Sequence, residues 1–170
     1  MFARNGKIGT NMQGKTHLIC GLASGLAVVL YTSPSPAIAG AAITAAGYAA
    51  LLPDIDHRNS TISHKIRPAR LFFRWFGHRG FTHSLAALAL LAGVCFYFLP
   101  PTLSLAILAG YSSHILADVL TTEGVGLFWP NGGRVTLLPI RTGGLIEYLF
   151  RVGMISVTLF LAYETVLFYK

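Results

Sequence analysis

Charge is what this chain has least of: 11% of its 170 residues are Asp, Glu, Lys or Arg, against ~25% in ordinary soluble domains. Hydrophobic residues make up 54%, more than a soluble core of this size can hide, so the composition points to lipid. Cysteine is scarce too. Cys20 and Cys95 each sit inside an apolar run and no C-x-x-C occurs, which excludes a disulfide framework and a thiolate zinc site. H-E-x-x-H, a Walker loop and G-x-S-x-G are all missing. The net charge is +7, yet no Lys/Arg run forms a nucleic-acid arm, and no nucleic-acid partner is predicted. No internal repeat or low-complexity stretch interrupts the chain.

Five apolar segments remain: 18–31, 37–52, 84–99, 102–120 and 145–169. The first closes at Ser33-Pro34-Ser35-Pro36, the second at Pro53 and the third at Pro100-Pro101, where proline stops a helix. Most are near or below the ~20 residues of a straight span. The second is rich in Ala and Gly, small residues that let helix backbones approach closely and suggest a compact bundle. The expected fold is an all-α polytopic membrane bundle of about five helices. Residues 1–16 read as a flexible extension and 17–170 as one membrane-embedded domain. The first apolar run lacks a small-residue cleavage site, so a removable signal peptide is not expected.

Loop charges set the expected orientation. Arg4, Lys7 and Lys15 precede the first segment, six Lys/Arg lie between Arg58 and Arg79, and Arg134 and Arg141 follow the fourth segment. The short turns at 32–36 and 100–101 carry none. The positive-inside rule then puts the N-terminus and the loops 53–82 and 121–144 in the cytoplasm, with the C-terminus outside if all five segments span. A re-entrant first hairpin would leave the loops on the same side. The stretch 69–76 alternates Arg70 and Arg74 with aromatics. It suits either an anionic headgroup layer or a buried helix.

This topology gathers the ionisable residues at one membrane depth. His17 opens the first segment; Asp54, Asp56 and His57 follow the second; His78 and His83 precede the third; His114 and Asp118 end the fourth. His114 and Asp118 are i and i+4 and share a helical face, a natural chelating pair for Zn²⁺ or a similar divalent ion. An Asp inside a membrane helix costs ~2.5–3.5 kcal/mol and marks function by default; the plain alternative is a His–Asp bond that glues helices. In Pro53-Asp-Ile-Asp56 an extended backbone would turn both carboxylates to one centre, one as ligand and one as general base. Thr82 is a candidate N-cap for a helix starting at His83. Arg79 has the bidentate fork that holds a phosphate. Glu123 is a further candidate ligand or supporting residue. Glu147 is a candidate partner for Arg141 or Arg151, and Glu164 lies too far outward to join.

The stretches 51–57 (LLPDIDH), 77–84 (GHRGFTHS) and 113–121 (SHILADVLT) resemble the YdjM family of bacterial inner-membrane proteins. That resemblance implies LexA (SOS) regulation, the inner membrane and metal-dependent hydrolysis. More distantly, the order His…Asp…His…His-x-x-x-Asp is similar to the zinc phospholipase C and P1 nuclease superfamily. This likeness implies that Asp56 (or Asp54), His83, His114 and Asp118 hold one ion and that His17 and Asp118 hold another. The superfamily's later His and Glu ligands have no counterpart, so one or two ions are expected. The reading is a metal-dependent hydrolase for an ester or phosphoester, with a lipid as the possible substrate. The metal set is His17, Asp56, His83, His114 and Asp118; Asp54 is the base and Arg79 steadies developing charge. His57, His78 and Glu123 are supporting or alternative ligands, and the roles of Asp54 and Asp56 are interchangeable at this point. The rivals are a metal transporter and a scaffold packed by His–Asp bonds. Oligomeric state is not legible.

Overall fold

The computed structural model describes residues 14–56, 80–138 and 140–170. Its helices are α1 (Gly14–Thr32), α2 (Pro36–Ala49), α3 (Leu85–Phe98), α4 (Pro101–Val119) and α5 (Leu145–Phe168), with 3-10 turns at Pro53–Asp56 and Phe81–His83. Proline occupies the first turn of α2 and of α4, where its missing N–H and fixed φ cost nothing. Between α1 and α2 the chain reverses at Ser33, which takes a positive φ of 47°. The protein is a helical membrane bundle. α1, α4 and α5 are long and apolar enough to cross a membrane. At 14 residues each, α2 and α3 rise only ~21 Å, short of the ~30 Å hydrocarbon core.

Helices α1, α2 and α4 pack against one another, α3 lies on α4, and α5 lies on α1. The tight centre is made by small residues. A Cβ on Gly21 would stand 2.5 Å from Ala50 Cβ and 2.7 Å from the Ala46 carbonyl oxygen. One on Gly110 of α4 would strike the same Ala46 backbone from the other side. Helices this close gain van der Waals contact that lipid cannot offer. Val29, Ala39, Ala42, Ala46 and Ala106 form the resulting core.

α5 is different: only Glu147 and Thr165 are buried along its 24 residues. It is tied at both ends. Thr16 Oγ1 donates to Glu147 Oε1 at 3.2 Å, and the Tyr169 hydroxyl donates to the Pro34 carbonyl at 2.6 Å. Glu147 Oε2 also accepts from the Gly143 backbone N–H at 2.6 Å. These ties make α5 parallel to α1, and the short 33–35 and 99–100 connections reverse α2 and α4. The start of α1, the end of α2, the start of α3 and the end of α4 therefore meet at one end of the bundle.

Three local expectations change. The 54–56 stretch is a 3-10 turn rather than extended backbone, so residues i and i+2 do not share a face as they would in a strand. The N-cap of α3 is Ser84, whose Oγ accepts from Ala87 N–H at 3.2 Å; Thr82 lies in the preceding 3-10 turn. Helix α1 starts at Gly14, so residues 14–16 of the expected extension are helical.

Candidate metal centre

Each contributing side chain reaches the site from a different element. His17 stands in the first turn of α1, Asp54 in the 3-10 turn after α2, His83 just before α3, and His114 and Asp118 in the last turns of α4. All five are buried. One donor atom from each of Asp54, His83, His114 and Asp118 lies within 4.8 Å of all the others. His83 Nε2 and His114 Nε2 are 3.2 Å apart. Asp118 Oδ2 is 3.4 Å from the first and 3.6 Å from the second. Asp54 Oδ1 is 3.8 Å from His114 Nε2.

Hydrogen bonding outside the cluster fixes what faces inward. His114 Nδ1 is 2.7 Å from the Ala50 carbonyl, which can only accept, so that nitrogen carries the proton. A neutral His114 then points a lone pair at its neighbours. His83 Nδ1 is 3.1 Å from Thr82 Oγ1, and the Tyr111 hydroxyl donates to the Thr82 carbonyl. Imidazoles held in this way, by a carbonyl or hydroxyl on the far nitrogen, are the usual supports of metal ligands.

The donor set fits a small divalent ion. Ligand atoms ~2.0–2.1 Å from a tetrahedral ion stand about 3.3–3.4 Å apart; the three His83–His114–Asp118 edges are 3.2, 3.4 and 3.6 Å. Asp54 Oδ1 is buried without a hydrogen-bond partner among the described residues. A single proton on His83 Nε2 can serve one or two of these contacts. It cannot relieve carboxylate oxygens and imidazole lone pairs that all face one point, whereas a cation can.

His17 occupies a separate position. Its Nε2 is 3.5 Å from Asp118 Oδ1, the carboxylate oxygen turned away from the triangle. Its ring stacks on His114, with centroids 3.7 Å apart and planes 19° apart. Asp118 thus faces the four-donor group with one oxygen and His17 with the other. Glu123 lies outside the cluster, partly exposed on the turn after α4, with its backbone carbonyl accepting from Arg134. His57, His78 and Arg79, and the side chain of Asp56, lie outside the described residues. Two supports escaped sequence reading: the Ala50 carbonyl, because a backbone acceptor leaves no mark on residue type, and Thr82, whose hydroxyl suggested a cap.

The family model described as YdjM inner membrane protein matches residues 12–169. This chain belongs to the YdjM family. It is 34% identical over 146 residues to the uncharacterized protein YvsG of Bacillus subtilis, covering 84% of this chain and 89% of that protein. Over 87 residues it is 44% identical to the inner membrane proteins YdjM of Escherichia coli and Shigella flexneri, covering 47% of this chain and 44% of each of theirs. No solved structure matches. Family membership supports the inner membrane as its location, and the similarity to zinc phospholipases and P1 nucleases finds no support in these matches.

Proposed function

We propose that this YdjM-family member is a membrane-bound, metal-dependent hydrolase that acts on an ester or phosphoester at the cytoplasmic membrane face. The observation that carries the reading is the His83–His114–Asp118 triangle, with edges that match a divalent ion and far-side ring nitrogens already engaged. His83, His114 and Asp118 would hold the ion, most naturally Zn²⁺ given the N/O donors. Bound there, the ion would supply Lewis acidity and water activation near neutral pH.

Asp54 takes the other role. It makes the longest edge, 3.8 Å, and its side chain is 12% exposed where those of His83, His114 and Asp118 are fully buried. It is the most exposed member of the group, which suits a carboxylate that would orient water and receive its proton. Among the described residues, Asp118 and His17 offer two donor atoms for a second ion, which supports one ion more strongly than two. A transporter would line the whole thickness with polar groups. Away from the site end, the buried polar side chains Ser104 and Thr165 bond to carbonyls four or five residues back, which leaves no ladder of sites among the described residues.

The test is turnover of a chromogenic phosphodiester and a chromogenic ester by detergent-purified protein. Hydrolysis should disappear after chelation and return with added Zn²⁺. Protein that carries the metal but cleaves neither class of bond would contradict the reading.

A further inference from the structure

A groove of about 270 Å³ lies beside the site, between α3 and α4 and under the 3-10 turns. Ile55 and Thr82 line its inner end, Tyr111 its floor, and Ala87, Leu91 and Val94 its wall. Ile55 and Thr82 are the chain neighbours of Asp54 and His83, so the inner end lies one residue from two members of the cluster. From Ala87 to Val94 the wall runs two turns along α3, about 10 Å. It emerges at Leu90 and Val94, which are 61% and 49% exposed on a helix with no polar residue between Leu85 and Phe98 except Tyr97. The groove is therefore continuous with the lipid-facing surface of the bundle.

Such a groove is a poor match for a water-soluble substrate. One end is wholly apolar and open to the bilayer, and the other is lined by Ile55 and Thr82, the chain neighbours of Asp54 and His83. A molecule that satisfies both ends has an acyl chain and a hydrolysable polar head. The geometry points to the groove as an acyl-chain site, so that the substrate class is a bilayer phospholipid whose chain enters between α3 and α4 and whose phosphoester or ester reaches the cluster. The net charge of +7 favours an anionic headgroup. This rests on the hydrolase reading for the chemistry but not for the binding.

Native mass spectrometry in detergent, titrating dioleoyl phosphatidylglycerol, tests the binding directly. Wild type should retain one lipid, and Asp118→Asn should still retain it, since the chain site does not use the metal. Leu149→Trp, a lipid-facing control on α5 that is 57% exposed, should match them. Val94→Trp and Leu91→Trp should bind at least tenfold more weakly; Val94 is half exposed, so its replacement is tolerated even if Leu91→Trp misfolds. Equal retention by wild type and Val94→Trp, or no retention by any of them, would overturn the proposal. The lipid pattern as expected without hydrolysis of any substrate would keep the groove and remove the hydrolase reading. Where hydrolysis is seen, Val94→Trp should slow turnover of the dioleoyl lipid tenfold and leave a short soluble phosphodiester unchanged.

Discussion

The carbonyl of Ala50 decides the state of His114, and a hydroxyl supports His83. Because Ala50 O can only accept, His114 Nδ1 carries a proton, and the neutral ring presents its Nε2 lone pair to the cluster. Thr82 Oγ1 gives His83 a comparable support. Thr82→Val keeps the shape and removes that hydroxyl; metal affinity should fall ~10–100-fold, the usual cost of losing such a support, as read by competition with a zinc indicator. Unchanged affinity would mean that His83 is held by packing alone. Asp54→Asn separates binding from chemistry: the variant should keep its metal and lose turnover at least 100-fold, the low end of what general acid–base catalysis contributes. Loss of metal in that variant would make Asp54 a ligand instead of a base. His114 and Asp118 were legible in the sequence because i,i+4 spacing on a helix fixes a shared face. The division between Asp54 and Asp56 was not, because it depends on a 3-10 turn that two aspartates two residues apart do not announce.

Helices carry a different kind of information. All five apolar segments emerged within a few residues of their observed bounds, since proline punctuation and apolar runs are strong local signals. The start of α1 at Gly14 was missed, because Lys15 and Thr16 read as polar loop. That extra turn buries His17 and lets Thr16 reach Glu147. A further role of Glu147 was equally hidden: the acid suggested an arginine partner, and nothing in residue type announced that its carboxylate also accepts from Thr16 and from the Gly143 backbone. Thr16→Val takes away one donor from a buried carboxylate and should cost ~1–3 kcal/mol, read as a lower thermal midpoint in detergent. The glycines make a sharper contrast. Gly110→Val would drive a side chain into the α2 backbone at Ala46 and should abolish monodisperse protein, beyond the ~1–3 kcal/mol of ordinary overpacking. Gly93→Ala, where a Cβ meets nothing within 4 Å, should be neutral or raise stability by ~0.5–1 kcal/mol. Equal behaviour of the two would mean that the α1–α2–α4 contact is not the packing centre.

For the molecule as a whole, the claim is that a membrane bundle brings its few ionisable groups together at one end. Three of the six acidic residues in the sequence are Asp54, Asp56 and Asp118, and two of these face the same pair of imidazoles. Burying carboxylates in a bundle with so little charge is expensive unless something compensates them. The alternation of the helices, readable from the apolar runs, was enough to predict the gathering. The ordering of the 121–138 stretch over the site end, with Val125 buried and bridged to Val135, was not, because those contacts join residues with no shared periodicity. Orientation follows from loop charge: a cysteine placed at exposed Asn131 should label from the cytoplasm and one at exposed Ser35 from outside, while the buried Cys20 and Cys95 stay slow. The reversed pattern would put the centre on the opposite face of the membrane.

The most direct measurement of the central claim is metal content by elemental mass spectrometry on wild type and Asp118→Asn purified side by side. Asn keeps the shape and the hydrogen-bonding capacity of Asp118 and removes the charge that a cation needs. Wild type should carry about one divalent ion per chain, as a single site built on His83, His114 and Asp118 implies, and Asp118→Asn should fall to background while still eluting as a folded protein. Equal metal content in the two, at background or at stoichiometry, would contradict the account.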